Sequence, residues 1–522
     1  MKLRNHVLDL LHEDYYYYYY HDYDFKTLQV SRRRHSLSTI HIDMSEIPDK
    51  WSIAAQDIAN HSDDFTKWEN FIKISESTNS SKLIILSYEN LLVKYPYLEQ
   101  YWINYARWFF KFNNIAKSIE TFKRSLKIIP NSILLWNTYL DLLLKIFPND
   151  ENLLPYFETA RISIGYHYYS SIFYDKYLKF LNDTNLIHEY YLLLRIIIQV
   201  PQHQYLKYFK IYLKLIENAD LKSIKYIITS SDLKKLTNFK WVDLLINENN
   251  FKKLKLELKK KFTDLYITTQ FHSWKFYNFE KKLGINYYIP HRELTRLQLQ
   301  TWRSYLEYVE NLNLKVAIKD KEQNLLKNNF NQIDTLYNRC LIVTNEYHFF
   351  CIKYSNYYLN LNDITKAKSI LINGLYMNPI NNLKIRIRLI DLYIITLEFD
   401  NAKAIIHEGL KLLPYNYQLF IKLIEIEHFT LPSNVEKLII SKITEISKLK
   451  NQQLENQFDY LFMEMLSYSS ITVSRLSKIF EKYKNKKSFN YLKARKQFMS
   501  FYNKPTILED KKFPNGWECE YF

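Results

Sequence analysis

The stretch EQYWINYARWFFKFNN, residues 99–114, holds two tryptophans, two tyrosines and three phenylalanines in sixteen positions. That density suits either an aromatic pocket for a ligand or the packed face of a helix. Two lysine runs offer a second kind of chemistry. Lys252, Lys253, Lys255, Lys259, Lys260 and Lys261 form the densest basic cluster, and Lys482, Lys484, Lys486 and Lys487 a second one. Such runs are either solvated helix faces or contacts for RNA and acidic proteins. Six consecutive tyrosines, Tyr15–Tyr20, lie in a low-complexity head that reads as disordered, with base stacking as the other reading. RRRHS, Arg32–Ser36, is a short basic patch of the nuclear-import or kinase-recognition kind.

The motifs of catalysis are missing. No GxxxxGK[ST] and no GxGxxG occurs, and the chain has only five glycines with which to build phosphate-cradling loops. HEYY at His188 and HEGL at His407 lack the second histidine of a zinc-protease helix. Cys340, Cys351 and Cys519 are odd in number and widely spaced, which points to a reducing compartment and no structural zinc. Acid pairs such as Glu425 and Glu427 fall within helical stripes, and no nucleophile, base and oxyanion donors assemble. The expectation is a protein that is not an enzyme, with no catalytic residues, metal or cofactor. No apolar run approaches the roughly 20 residues of a membrane span; LLLRIIIQV is broken by Arg195. The opening MKLRNHVLDLLHEDYYYYYY carries acids in its apolar stretch and does not read as a signal peptide. A soluble intracellular protein with no membrane partner is expected. The net charge of +17 fits an anionic partner such as RNA, although the abundance of Lys, Asn, Ile, Tyr and Phe also fits a compositional bias.

What positions these residues is a repeat. Trp102, Tyr105, Ala106, Phe109 and Phe112 share one helical face, Asn113-Asn114 breaks it, and Ile115, Ile119, Phe122, Leu126 and Ile129 form the stripe of a second helix that ends at Pro130. Trp68, Trp102 and Trp136 are separated by 34 and 34 residues, and each is followed three positions later by Phe71, Tyr105 or Tyr139. Pro96 and Pro130 keep the same interval. Looser copies put Tyr174 and Tyr177, then Tyr205 and Tyr208, in the aromatic slots, and Trp274 with Tyr277 and Trp302 with Tyr305 open later helices. Cys351 fills the tryptophan slot of one more copy, with Tyr354 after it; Ala367 to Ala402, Gly374 to Gly409 and Pro379 to Pro414 are each 35 apart. A lone helix pair cannot bury its apolar face, whereas stacked pairs bury a continuous core. The expectation is an all-α protein, an α-solenoid in which the aromatics are packing rather than pocket.

The tetratricopeptide repeat has this period but asks for W-x2-L-G; here Ile72, Ala106 and Leu140 stand four residues after the tryptophans. W-x-x-[YF] followed by a helix ending in proline resembles the half-a-tetratricopeptide (HAT) repeat. The blocks YPYLEQYWINYARWFFKFNNIAKSIETFKRSL, LLWNTYLDLLL, VPQHQYLKYF, FEKKLGINYYIPHRELTRLQLQTWRSYLEYVE and CIKYSNYYLNLNDITKAKSILINGL resemble, in this order, the pre-mRNA processing factor thirty-nine and forty-two family of the U1 small nuclear ribonucleoprotein (snRNP), with INYY leaning toward factor forty-two of yeasts. They cover most of residues 60 to 415; Cys351 and Arg386 depart from the aromatic slot, and residues beyond 430 match poorly. The resemblance implies a scaffold in nuclear pre-mRNA splicing, acting where U1 engages the 5′ splice site. Its implied partners are U1 proteins and an identical or paralogous HAT chain, with U1 snRNA or pre-mRNA mostly contacted indirectly. The other reading is an RNA-binding HAT subunit of the 3′-end cleavage and polyadenylation machinery. The expected organisation is an extension over 1–50, a first array over 51–218, a lysine-rich connector over 219–262, a second array over 263–500 and a tail over 501–522. Leu419, Phe420, Leu423, Ile424 and Ile426 carry more apolar surface than one stripe needs and are expected to form a dimer surface.

Overall fold

The structure, a computed structural model, describes residues 48–220, 223–228, 233, 248–284, 287–319, 323–377, 383–449, 451–468 and 471–501. Tyr15–Tyr20, Arg32–Ser36, Pro379 and Cys519 lie outside the described residues. Among those described, the regular structure is helical, without strands, and the fold is the α-solenoid that the repeat implies. No described helix is long and apolar enough to cross a membrane.

The chain divides into two compact units, Met1–Thr344 and Asn345–Phe522. In the first, the helices are α1 (Asp49–Asn60), α2 (Phe65–Ser77), α3 (Ser81–Lys94), α4 (Glu99–Lys111), α5 (Ile115–Ile128), α6 (Ile133–Ile146), α7 (Leu154–Ile164), α8 (Ser171–Asp183), α9 (Ile187–Ile197), α10 (Tyr205–Asn218), the short α11 (Ile224–Ile227), α12 (Glu248–Leu283), α13 (Arg296–Lys319) and α14 (Gln323–Val343). The second contains α15 (His348–Asn360), α16 (Ile364–Met377), α17 (Leu383–Ile395), α18 (Phe399–Leu412), α19 (Tyr417–Thr430), α20 (Pro432–Lys448), α21 (Gln452–Phe458), α22 (Leu461–Ser467), α23 (Val473–Lys482) and α24 (Phe489–Phe501). Within each unit, helices pack chiefly on their neighbours in sequence, as in a stack of helix pairs.

The hairpin turns show how a glycine-poor chain makes tight reversals. Asn79, Asn113, Asn149, Asn185 and Asn362 all have φ between 51 and 61°, the left-handed region that glycine usually supplies. Each of Asn113, Asn185 and Asn362 is followed by a residue whose N–H returns to a carbonyl five positions back: Asn114 to Phe109 at 2.9 Å, Leu186 to Leu181 at 3.0 Å and Asp363 to Tyr358 at 3.0 Å. That bond caps the first helix of the pair. Asn114 then caps the next, its side chain accepting the Lys117 N–H at 3.1 Å. Asn113-Asn114 thus ends one helix and begins another without glycine.

The expected break between connector and second array at 262/263 falls inside α12, a single helix of 36 residues with no glycine or proline to interrupt it. The compact division lies instead after Thr344, because α12 to α14 and the loop before α13 close onto the first array. The Ser273 hydroxyl donates to the Gln202 carbonyl at 2.8 Å, Tyr95 Oη meets His291 Nε2 at 3.1 Å, and Asn338 Nδ2 donates to Asn131 Oδ1 at 3.1 Å. These bonds join residues 71 to 207 positions apart, a pairing that a repeat period does not announce.

Candidate functional site

Most of the signature residues are core. Trp68, Phe71, Trp102, Tyr105, Trp136, Tyr139, Tyr174, Tyr177, Trp302, Tyr305 and Tyr354 are all buried. Their polar ends explain the common period of tryptophan and proline. The indole N–H of Trp102 donates to the Pro96 carbonyl at 2.9 Å and that of Trp136 to the Pro130 carbonyl at 2.8 Å; Trp68 reaches the Ser62 carbonyl at 2.8 Å. In each case the acceptor is six residues upstream, in the turn that leads into the helix. A tyrosine in the same slot does the same work with its hydroxyl: Tyr174 donates to the Gly165 carbonyl at 3.1 Å and Tyr205 to the Ile198 carbonyl at 2.7 Å. In these copies the slot is filled by a flat ring carrying a donor at its far end.

Trp274 and Tyr277 depart from this. They are 53% and 43% exposed, while Ser273, Phe276 and Glu280 face the core. The helix is turned by one residue relative to the expected frame. The Ser273–Gln202 bond and the buried Glu280 fix that rotation, so the aromatic pair points to solvent.

Two four-residue constellations carry no signature in the sequence. The Arg124 guanidinium grips Glu89 with bonds of 2.7 and 2.9 Å, Tyr105 Oη donates to the same carboxylate at 2.9 Å, and Arg124 lies 5.4 Å from the Trp102 ring. In the later copy, Arg339 grips Glu280 at 2.8 and 3.0 Å, Tyr305 Oη donates to Glu280 at 3.3 Å, and Arg339 lies 6.0 Å from the Trp302 ring. The second pair is almost fully buried, at 6% and 0% side-chain exposure. Desolvation and then the Glu89 charge push the Tyr105 hydroxyl well up, so it remains a donor. The two copies have different spacings, because the long α12 and the delayed α14 stretch the second. No fixed interval in the sequence marks them.

In the lysine cluster, Leu254, Leu258 and Phe262 turn inward, Lys252, Lys253 and Lys260 are exposed, and Lys255, Lys259 and Lys261 are half-buried. Part of the charge is met within the chain: Lys255 donates to the Glu217 carbonyl at 2.9 Å, Lys259 pairs with the Glu217 carboxylate at 2.8 Å and Lys260 with Glu257 at 2.9 Å. In the second run, Lys486 is drawn inward between Glu455 and Asp459. It is a structural ion-pair residue rather than part of an open basic patch.

The residues expected to form a dimer surface are not open to a partner. Leu419, Phe420, Leu423, Ile424 and Ile426 are buried within their own unit. Helices α18, α20 and α21 cover them; Phe420 and Phe458 have ring centroids 6.2 Å apart. The apparent excess of apolar surface is the inner face of an array that continues to α24. Among the described residues of this unit, the most exposed large apolar side chains lie elsewhere, at Ile395, Leu397, Phe429 and Leu431.

Comparison with known proteins bears on these arrays directly. The family model for the PRP39 N-terminal HAT repeat matches residues 53–214, and that for the PRP39 C-terminal HAT repeat matches residues 274–428. The chain is 30% identical over 305 residues to the U1 small nuclear ribonucleoprotein component PRP42 of Saccharomyces cerevisiae, covering 56% of this chain and 52% of that protein. It is 25% identical over 344 residues to pre-mRNA-processing factor 39 of Schizosaccharomyces pombe, covering 60% and 53%. The chain thus spans about half the length of these curated relatives. Among solved structures, the crystal structure of CSTF-77 aligns over 78% of this chain and 89% of that one at 11% identity, with a TM-score of 0.37, too low to argue from. The two family models lie in consecutive order and together take in more than half of the sequence: the chain belongs to the PRP39 family of HAT-repeat proteins.

Proposed function

We propose that this chain is a scaffold component of the U1 snRNP in nuclear pre-mRNA splicing, acting in early spliceosome assembly at the 5′ splice site. It works by protein contacts through its HAT repeats and performs no chemistry of its own. The observation that carries this reading is the match of both repeat arrays to one family whose named relatives are a U1 snRNP component and pre-mRNA-processing factors. The burial of the signature aromatics other than Trp274 and Tyr277 supports it: packing uses up most of the periodic residues, leaving the outward faces to vary with the partner. Affinity capture of the tagged full chain from nuclear extract, read by mass spectrometry, is the test. Recovery of U1 proteins supports the reading; recovery of cleavage and polyadenylation factors in their place overturns it.

Pairing with an identical or paralogous HAT chain belongs to the same proposal, but its surface is not Leu419–Ile424. Light scattering on the full chain, alone and mixed with a paralogue, measures it. A monomer in both samples removes pairing from the reading.

A further inference from the structure

On the outward face of the second half of α12, four apolar and aromatic residues are exposed among the described residues. Ile267, Phe271 and Trp274 follow one another at intervals of four and three residues, so they lie in one line along the helix. They are 62%, 51% and 53% exposed, and Tyr277 beside them is 43% exposed. The Phe271 and Trp274 ring centroids are 6.4 Å apart, and the Lys275 ammonium stands 5.5 Å from one and 5.1 Å from the other. Exposed Lys281 and Lys282 continue the face at the end of the helix. From Ile267 to Leu283 the one carboxylate is Glu280, which is buried and paired with Arg339. From Phe271 to Lys282 the exposed residues are therefore Phe271, Trp274, Tyr277, Lys281 and Lys282, with no acid; the exposed Asp264 lies about two turns before Phe271.

We propose that Phe271, Trp274 and Tyr277, with Lys275, Lys281 and Lys282, form a binding platform for single-stranded RNA. Bases stack on exposed aromatic faces, and the adjoining phosphates meet the lysines. Aromatic rings beside cations are the usual means of holding an unpaired strand without reading its sequence. A duplex keeps its bases stacked on one another and offers these rings little. A docked protein suits the face less well, because Lys275 stands among the rings. Lysine is depleted at the desolvated centre of protein interfaces, whereas a phosphate neighbour leaves the ammonium partnered. The net charge of +17 favours the approach of a polyanion to the whole chain. This platform goes beyond the protein-scaffold reading and does not depend on it.

Fluorescence anisotropy of the full-length chain with a labelled, unstructured RNA of about ten nucleotides, within the span of such sites, is the test. The wild type should bind in a salt-dependent way, with the same sequence held as a duplex binding more weakly. The double variant Phe271→Ala/Trp274→Ala should bind at least about tenfold more weakly at unchanged helicity and melting temperature, since both rings are exposed. Trp274→Phe, which keeps a stacking surface, should retain most of the affinity. Lys275→Gln with Lys281→Gln and Lys282→Gln should lower the salt slope by about 0.7 for each phosphate that is no longer neutralised. An absence of RNA binding by the wild type, equal affinity of wild type and double alanine variant, or equal binding of duplex and single strand each overturns the proposal. So does the outcome in which the alanine variants leave RNA affinity unchanged but lose a protein from the captured complex, which would make the face a protein dock.

Discussion

Leu397 stands where the equivalent turn of the preceding helix pair carries Asn362, and it takes the same left-handed backbone, φ 61°. The Glu398 N–H returns to the Tyr393 carbonyl at 2.9 Å, as Asp363 returns to Tyr358, so the turn imposes that conformation on a side chain poorly suited to it. Left-handed geometry costs an ordinary L-residue roughly 1–2 kcal/mol, and asparagine tolerates it better. Leu397→Asn should therefore raise stability by about 0.5–1 kcal/mol in denaturant unfolding, since the leucine is 73% exposed and contributes little packing. An unchanged midpoint would show that the backbone strain is relieved elsewhere.

His167, in the turn before α8, makes a second prediction at this scale. Its Nδ1 accepts the Tyr169 N–H at 3.0 Å. Loss of solvent around the ring, and then the Arg339 charge, hold its pKa well below the ordinary 6.5. Below pH 6.5 the unfolded chain takes up the proton before the folded one does. The stability contributed by neutral His167 is therefore present above pH 6.5 and declines as the pH falls from there toward the folded value. Melting temperatures between pH 7.5 and pH 5 should fall less steeply in His167→Gln than in wild type; parallel curves would remove His167 as a cause.

Among the elements, the pairs α15–α16 and α17–α18 show why two of the five glycines share one repeat position. A Cβ on Gly374 would stand 2.5 Å from Cys351 Sγ, and one on Gly409 would stand 2.7 Å from Arg386 Cδ and 2.8 Å from Leu419 Cδ1. Cys351 and Arg386 occupy the tryptophan slot, and each turns toward its partner helix: Cys351 Sγ to the Ile370 carbonyl at 3.6 Å, Arg386 Nη1 to the Ile405 carbonyl at 3.0 Å. The glycines permit the close approach. Gly374→Ala should destabilise the chain by about 1–3 kcal/mol through overpacking. The double variant Cys351→Ala/Gly374→Ala removes the obstructing sulfur and should recover part of that loss, seen as a favourable coupling in a double-mutant cycle. Strict additivity would mean that the clash is relieved by helix displacement instead.

For the whole molecule, stability is carried by interfaces between neighbouring helices, and Trp102 is buried there with its N–H on Pro96 and its ring beside Arg124 of α5. Trp102→Ala should cost about 3–5 kcal/mol locally. Hydrogen exchange on the full chain should show reduced protection over the first unit, with residues 345–501 largely unchanged. Uniform loss in both units would show one cooperative block, and no loss anywhere would contradict the core role of the tryptophan.

The sequence by itself determined that this chain is a stack of helix pairs, where most turns fall and which aromatics are core. A period of 34 or 35 residues reports the contacts that every pair makes with the next, and those contacts recur. It did not determine how α12 is rotated. Trp274 and Tyr277 obey the W-x-x-Y pattern yet face solvent, because contacts with residues distant in sequence, Gln202 and Arg339, hold Ser273 and Glu280 inward. Nor did it determine what covers Leu419 and Phe420, since α20 and α21 continue the array without the signature aromatics. Periodicity fixes which residues share a helix face. Only tertiary packing decides which face meets a neighbour and which is left for a partner.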